Sequence, residues 1–274
     1  MKQPKAVFLD IDGTILRSDH SLSPRVARAV TSLEQAGILV CLATGRSWEA
    51  LEPLYSRLKL SGPTICYNGA FLAGGPEGQK LNEILLNDTA ARFAVGKARE
   101  HSMEFVAYRH TVLLYETEGP FVRAYRERVG LKGTQVNFDS ISKLELTKMI
   151  IMSEHEKLEE VQAGLRGRFS SDELVSTFSD PSFLELIEGG VDKGKGLRDV
   201  CSLKGISLAD TVAMGDGWND LPMLEAAGDA WIMGGAAPEL LRRFPENRRA
   251  PDSNADGAAL VMEALLEGRE PVFE

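Results

Sequence analysis

Four apolar residues, Ala6-Val7-Phe8-Leu9, run straight into Asp10-Ile11-Asp12-Gly13-Thr14. Val and Phe favour extended backbone, and a short continuous apolar run suits a strand buried on both faces. Carboxylates at the end of such a strand cost free energy unless a cation offsets them. Residues i and i+2 of a strand share a side, so Asp10 and Asp12 are placed to face one ligand. Gly13 permits a sharp exit from the strand. An ordinary strand-to-turn junction would also use Asp and Gly. A calcium loop fails on spacing: Gly13 follows Asp12 directly, and Ser21 stands where the closing Glu would be. The functional alternative is a metal-assisted site with a carboxylate nucleophile.

The pattern that follows is α/β. Ser23-Pro24 opens a helix as N-cap and first helical residue, Val26, Ala29, Val30 and Leu33 give it an apolar stripe, and Gly37 ends it. Ile38 to Ala43 is a continuous apolar run, as in a parallel strand, and it ends at Thr44-Gly45-Arg46-Ser47. A helix over Trp48 to Leu58 and a strand over Pro63 to Tyr67 lead to Asn68-Gly69-Ala70. Polar residues thus collect after each strand, where open α/β sheets bind ligands.

From about Leu85 to Ile187 the rhythm changes to helices mixed with antiparallel pairs. A hairpin is expected over Phe105 to Tyr115, with Tyr108, Arg109 and His110 at a tip open to solvent. The parallel pattern resumes after Gly189-Gly190, with a helix over Lys195 to Lys204 and a strand over Thr211 to Met214 that ends at Gly215-Asp216-Gly217-Trp218-Asn219-Asp220. The fold expected is a doubly wound, Rossmann-like parallel α/β core of residues 1–83 and 189–274, with an α+β cap of residues 84–188 inserted in it.

Charge and composition narrow the partners. A net charge of −9 disfavours nucleic acid, whose phosphates select basic surfaces. No apolar run reaches membrane-spanning length, and Met1-Lys2-Gln3-Pro4-Lys5 has no apolar signal region, so a cytoplasmic protein is expected. Cys41, Cys66 and Cys201 match no zinc or redox spacing, and the first two read as core residues of a protein in a reducing compartment. His20, His101, His110 and His155 are scattered, which disfavours zinc. Asp10, Asp12, Asp216 and Asp220, all just past apolar strands, form an oxygen donor set suited to Mg²⁺.

Taken in order, Asp10-Ile-Asp12-Gly-Thr14, Ala43-Thr44-Gly45-Arg46, Lys193 and Gly215-Asp216-Gly217-x-Asn219-Asp220 resemble the four motifs of the haloacid dehalogenase (HAD) superfamily. Asn68-Gly69-Ala70 and the roughly hundred-residue insert resemble its Cof-type phosphatases with a large α/β cap. The resemblance covers nearly the whole chain, and the ordered set is more specific than any one motif. It implies Asp10 as nucleophile and Asp12 as general acid and base. Thr44, Gly45, Lys193 and Asn219 would meet the phosphate. Asp10, Asp216, Asp220 and the main-chain carbonyl of Asp12 would serve Mg²⁺. Lys193 is preferred to the nearby Lys195 because the family's lysine precedes a Gly and opens the next helix. Arg46 would meet substrate or pair with a carboxylate, Asn68 would meet substrate or simply make a turn, and Trp218 would pack. Where the subfamily commonly has Gly-Asn-Ala, this chain has Gly234-Gly235-Ala236, while Asn254-x-Asp256-Gly257 keeps the usual ending.

The function implied is a Mg²⁺-dependent phosphatase acting on small phosphorylated metabolites, sugar phosphates first, as a monomer or homodimer. Phosphoryl transfer to another acceptor is the nearest alternative. A non-catalytic binding protein is disfavoured by the intact Asp10, Asp12, Lys193 and Asp216 set.

Overall fold

In the computed structural model, which describes residues 3–273, the opening apolar run is β1 (Ala6–Leu9), buried along its whole length. Met1 and Lys2, the start of the N-terminal stretch noted above, and Glu274 lie outside the described residues. Helix α1 (Pro24–Gln35) begins as its sequence dictates, with the Ser23 side chain accepting from the Val26 N–H. Then come β2 (Leu39–Leu42), α2 (Trp48–Leu58), β3 (Thr64–Cys66), β4 (Phe71–Gly74) and β5 (Gln79–Glu83). The described chain forms two compact units: one runs up to Leu81 and resumes at Asp192, the other is Asn82–Val191.

The Asn82–Val191 unit contains α3 (Asp88–Glu100), β6 (Glu104–Arg109), β7 (Val112–Tyr115), α4 (Pro120–Val129), β8 (Thr134–Gln135), β9 (Lys148–Met152), α5 (His155–Arg166), β10 (Leu174–Asp180) and β11 (Phe183–Glu188). Its sheet runs β10-β11-β9-β6-β7-β8, antiparallel except for the last pair. Alternation puts Phe105, Ala107, Met149, Ile151, Leu184 and Leu186 into one core with Ala90, Ala94, Leu158 and Val161 of α3 and α5. The hairpin tip is less solvated than expected. Tyr108 is buried and hydrogen-bonded to Tyr125, Arg109 donates to the Leu144 carbonyl, and His110 pairs with Glu83.

The other unit is completed by α6 (Lys193–Lys204), β12 (Thr211–Gly215), α7 (Leu221–Ala226), β13 (Asp229–Met233), α8 (Pro238–Leu241), β14 (Arg249–Ala250) and α9 (Gly257–Leu266). Its main sheet, β14-β13-β12-β1-β2, is parallel throughout, and β3 joins the β2 edge through an Ala43–Ile65 bridge. The doubly wound parallel core and the α+β insert expected from the sequence are both present. Strand β1 lies in the middle, between β2 and β12. The chain therefore winds away from it in both directions, and the carboxyl end of such a strand is where open α/β sheets bind ligands. The start of α6 differs from expectation: it begins at Lys193, two residues before Lys195, with Asp192 as its N-cap. No helix among the described residues is long and apolar enough to cross a membrane.

Candidate active site

Asp10 follows the last residue of β1, and its N–H donates to the Met214 carbonyl of the neighbouring β12. The same pairing that builds the sheet therefore fixes the acid at its carboxyl edge. Its carboxylate is buried and meets the Lys193 ammonium at 2.6 Å. Lys193 is fully buried and also reaches Asp220 at 2.5 Å. Lysine is almost never buried without partners, so two carboxylates on one ammonium explain how it stays there. Asp220 is equally engaged on its other oxygen, which accepts the N–H groups of Asp216 at 3.0 Å and Gly217 at 2.8 Å. It fixes the loop after β12 and aims the lysine in one stroke.

Two glycines make this approach possible. Gly13 has φ +81°, and a Cβ there would collide with the Asp216 carboxylate. A Cβ on Gly194 would collide with the Pro222 carbonyl, so only glycine lets the first turn of α6 lie against the start of α7.

The electrostatics follow from this crowding. Burial, reinforced by the Asp220 charge and opposed by Lys193, pushes the Asp10 carboxyl up to about 8. Burial and Asp220 push Asp216 up to about 6. Burial alone would lower the Lys193 pKa, but Asp10 and Asp220 outweigh it and hold the ammonium charged. Asp10, Asp216 and Asp220 each offer a carboxylate oxygen within 4.8 Å of the others. Three acids against one lysine leave the cluster short of positive charge.

Asp12 is elsewhere. It lies beyond the end of β1, where strand alternation no longer applies, and its carboxylate is outside that cluster. Arg46 grips it with two hydrogen bonds, Nε to Oδ2 at 2.9 Å and Nη2 to Oδ1. So Arg46 is a carboxylate partner here. His20, taken from sequence as one of four scattered histidines, stands 3.4 Å from the same Oδ1. Only the main-chain carbonyl of Asp12 remains for the metal role the resemblance implies.

The second and third strand ends close the ring. Thr44 is buried, and its hydroxyl oxygen accepts the Arg46 N–H at 3.1 Å, which leaves its hydrogen free to donate. Gly45 lies against the Asn68 amide. Asn68 accepts from Asn219 Nδ2 at 3.2 Å, in a turn where Tyr67, Asn68 and Gly69 all have positive φ. Backbone of that kind concentrates at functional sites. Lys195 points elsewhere, to Asp199 at 2.7 Å. Trp218, expected to pack, is 53% exposed. At Gly235, where the subfamily commonly has Asn, a Cβ would meet only Asp252 at an ordinary 3.8 Å, so nothing around this position requires glycine.

A family model for haloacid dehalogenase-like hydrolases matches residues 7–262. The chain belongs to this family. The motif resemblance and the phosphatase class it implies are borne out by that match and by the relatives. Among these is an HMP-PP phosphatase of Cronobacter sakazakii, 28% identical over 236 residues that make up 86% of each chain. A haloacid dehalogenase-like hydrolase from Bacteroides thetaiotaomicron superposes with a TM-score of 0.86 at 25% identity, covering 96% of this chain and 99% of its own. A Thermotoga maritima structure gives 0.83 at 26% identity, covering 95% and 97%. Family members generally use a divalent metal, in keeping with the acidic cluster.

Proposed function

We propose that the chain is a Mg²⁺-dependent phosphatase for small phosphate esters and that it works through an aspartyl-phosphate on Asp10. The observation that carries this reading is the buried Lys193 ammonium joining Asp10 to Asp220 beside Asp216. An acid so placed is desolvated and aimed, and its cationic partner is ready for the charge of a phosphoryl group.

In the first step an Asp10 oxygen bonds to phosphorus, the bond from phosphorus to the ester oxygen breaks, and Asp12 gives that oxygen its proton. In the second, Asp12 takes a proton from water, the water oxygen bonds to phosphorus, and the acyl-phosphate bond breaks to free Asp10 and inorganic phosphate. Lys193 and the Thr44 hydroxyl would meet the phosphoryl oxygens, with Gly45 and Asn219 beside them. Asn68 would hold Asn219, and Arg46 would hold Asp12. The all-oxygen donor set, short of positive charge, fits a hard divalent cation. Asp10, Asp216 and the Asp12 carbonyl would hold it, with Asp220 behind them. Bound Mg²⁺ would offset phosphate charge.

Substrate choice would lie with the Asn82–Val191 unit, and exchange of that unit with a relative's should carry the preference with it. Sugar phosphates and HMP-PP, the compound named in similar phosphatases, are the first candidates. FMN and pyridoxal phosphate follow. The test is phosphate release from such a panel with Mg²⁺ and with EDTA. Release from at least one ester that stops on chelation is expected. No release from any ester with Mg²⁺ present would overturn the reading.

A further inference from the structure

One motif singled out in the sequence has no task in the reaction above: Asn254-x-Asp256-Gly257. The structure ties it to the loop that follows Thr14. Within that loop the His20 N–H donates to the Arg17 carbonyl at 2.9 Å, the Arg17 N–H to the Ser21 carbonyl at 3.0 Å, and the Ser21 N–H to Asp19 at 2.9 Å. The loop is then anchored from outside. Arg17 Nη2 donates to Asp256 Oδ1 at 2.9 Å, and the N–H and hydroxyl of Ser18 both donate to Asn254 Oδ1, at 3.2 and 3.0 Å. A second tie lies alongside, where Arg25 of α1 grips Glu263 of α9 with bonds of 2.9 and 2.6 Å.

The product of this anchoring is the placement of His20. Its side chain is 71% exposed, and its backbone has φ +61°, the left-handed region that L side chains avoid. Neither burial nor backbone preference accounts for that conformation. The loop ties do, and they set Nδ1 at 3.4 Å from Asp12 Oδ1. The Asp12 carboxylate is itself half-exposed, so its polar partners more than packing orient it. Arg46 holds it from one partner and His20 limits its swing from another.

We propose that His20 is a positioning residue for Asp12, and that the Asn254–Asp256 turn, whose Asn254 is 236 residues from the Ser18 it binds, holds His20 in place. The inference rests on the reading of Asp12 as general acid. A general acid works only when its oxygen is aligned with the departing oxygen. Loss of alignment therefore falls hardest on esters with poor leaving groups, such as alkyl phosphates, and least on p-nitrophenyl phosphate, whose leaving group departs without a proton.

The test uses the full chain with Mg²⁺ and takes the ratio of kcat/KM for the best alkyl ester to that for p-nitrophenyl phosphate. His20→Gly suits the left-handed backbone and should lower the ratio by about tenfold. His20→Asn, which tolerates that backbone and keeps a donor, should restore much of it. Asn254→Ala should lower the ratio by about threefold in the wild-type chain and not further in the His20→Gly chain, because the two act along one path. Asp12→Asn is the control and should lower it at least as far as His20→Gly. If Asp12→Asn lowers the ratio and His20→Gly leaves it unchanged, the positioning role is overturned and the reaction scheme stands. If Asp12→Asn leaves it unchanged, both fall. Additive losses in the double variant would overturn the part assigned to the Asn254–Asp256 turn.

Discussion

Asp10 and Asp12 are two residues apart and occupy different media. Asp10 is buried beside a fully buried lysine and two further acids. Asp12 is half-exposed and paired with an arginine and a histidine that water also reaches. The first setting suits a group that must attack without a hydration shell and share a cation. The second suits a group that must pass protons to and from solvent-borne atoms. What the surrounding strand ends and loops place against two identical side chains is what supports the different tasks proposed for them.

Asp10→Asn should lower kcat by about four orders of magnitude or more while the far-ultraviolet circular dichroism stays native, because the proposed covalent bond would lose its nucleophile. Substantial remaining turnover would take the nucleophile role from Asp10. Asp12→Asn should cost less, about 10²- to 10³-fold in kcat/KM on alkyl esters, the range of a lost proton-transfer partner. Equal losses on alkyl and p-nitrophenyl esters would contradict the division of labour.

The two nearby lysines sharpen the dry half of the picture. Lys193→Met leaves Asp10 and Asp220 buried without their cation and should cost about 3–5 kcal/mol of stability in the metal-free protein, read from urea unfolding. Lys195→Ala loses a half-buried i,i+4 pair with Asp199 on one helix and should cost about 0.5 kcal/mol or less, with kcat/KM within about twofold of wild type. Similar losses at both positions would mean that the buried bridge has no special part.

A smaller effect lies in pH. In the metal-free folded chain the Asp10 carboxyl is raised from 3.8 to about 8, by burial first. Between those values the folded state holds a proton that the unfolded state has lost, so stability must fall as pH climbs through that window. The urea midpoint in EDTA should therefore drop from pH 5 to pH 8, and Asp10→Asn should flatten that part of the slope. A midpoint that rises over the window in both proteins would contradict the desolvated setting assigned to Asp10. Metal binding should show the opposite trend and tighten with pH, because it displaces the proton.

Much of this was legible in the sequence, for physical reasons. Parallel strands buried on both faces must be continuous apolar runs, and each ends where its polar residue begins, so Asp10, Thr44 and Asp216 could be placed at strand ends. What was not legible depends on contacts between distant segments. His20 is a lone histidine in a polar loop, with no periodicity around it, and its position is fixed by Asn254 and Asp256. Asn68 read equally well as a turn residue until a run of positive φ angles brought it to Asn219. The start of α6 was hidden because Gly194 and Gly196 are poor helix formers; its first turn forms through the Asp192 cap and close packing on Pro222 and Ile65. The two-residue strand β8 is exposed on both positions and carries no alternation to read.

The central claim is that the dry acid, and not the wet one, carries the phosphoryl group. Acid quench of the Mg²⁺-loaded enzyme during turnover, followed by borohydride reduction and peptide mass spectrometry, tests it directly, since reduction converts an acyl-phosphate to homoserine. Homoserine is expected at position 10 in the wild-type chain and at no position in Asp10→Asn. Homoserine at position 12, or its absence from position 10 while phosphate is being released, would contradict it.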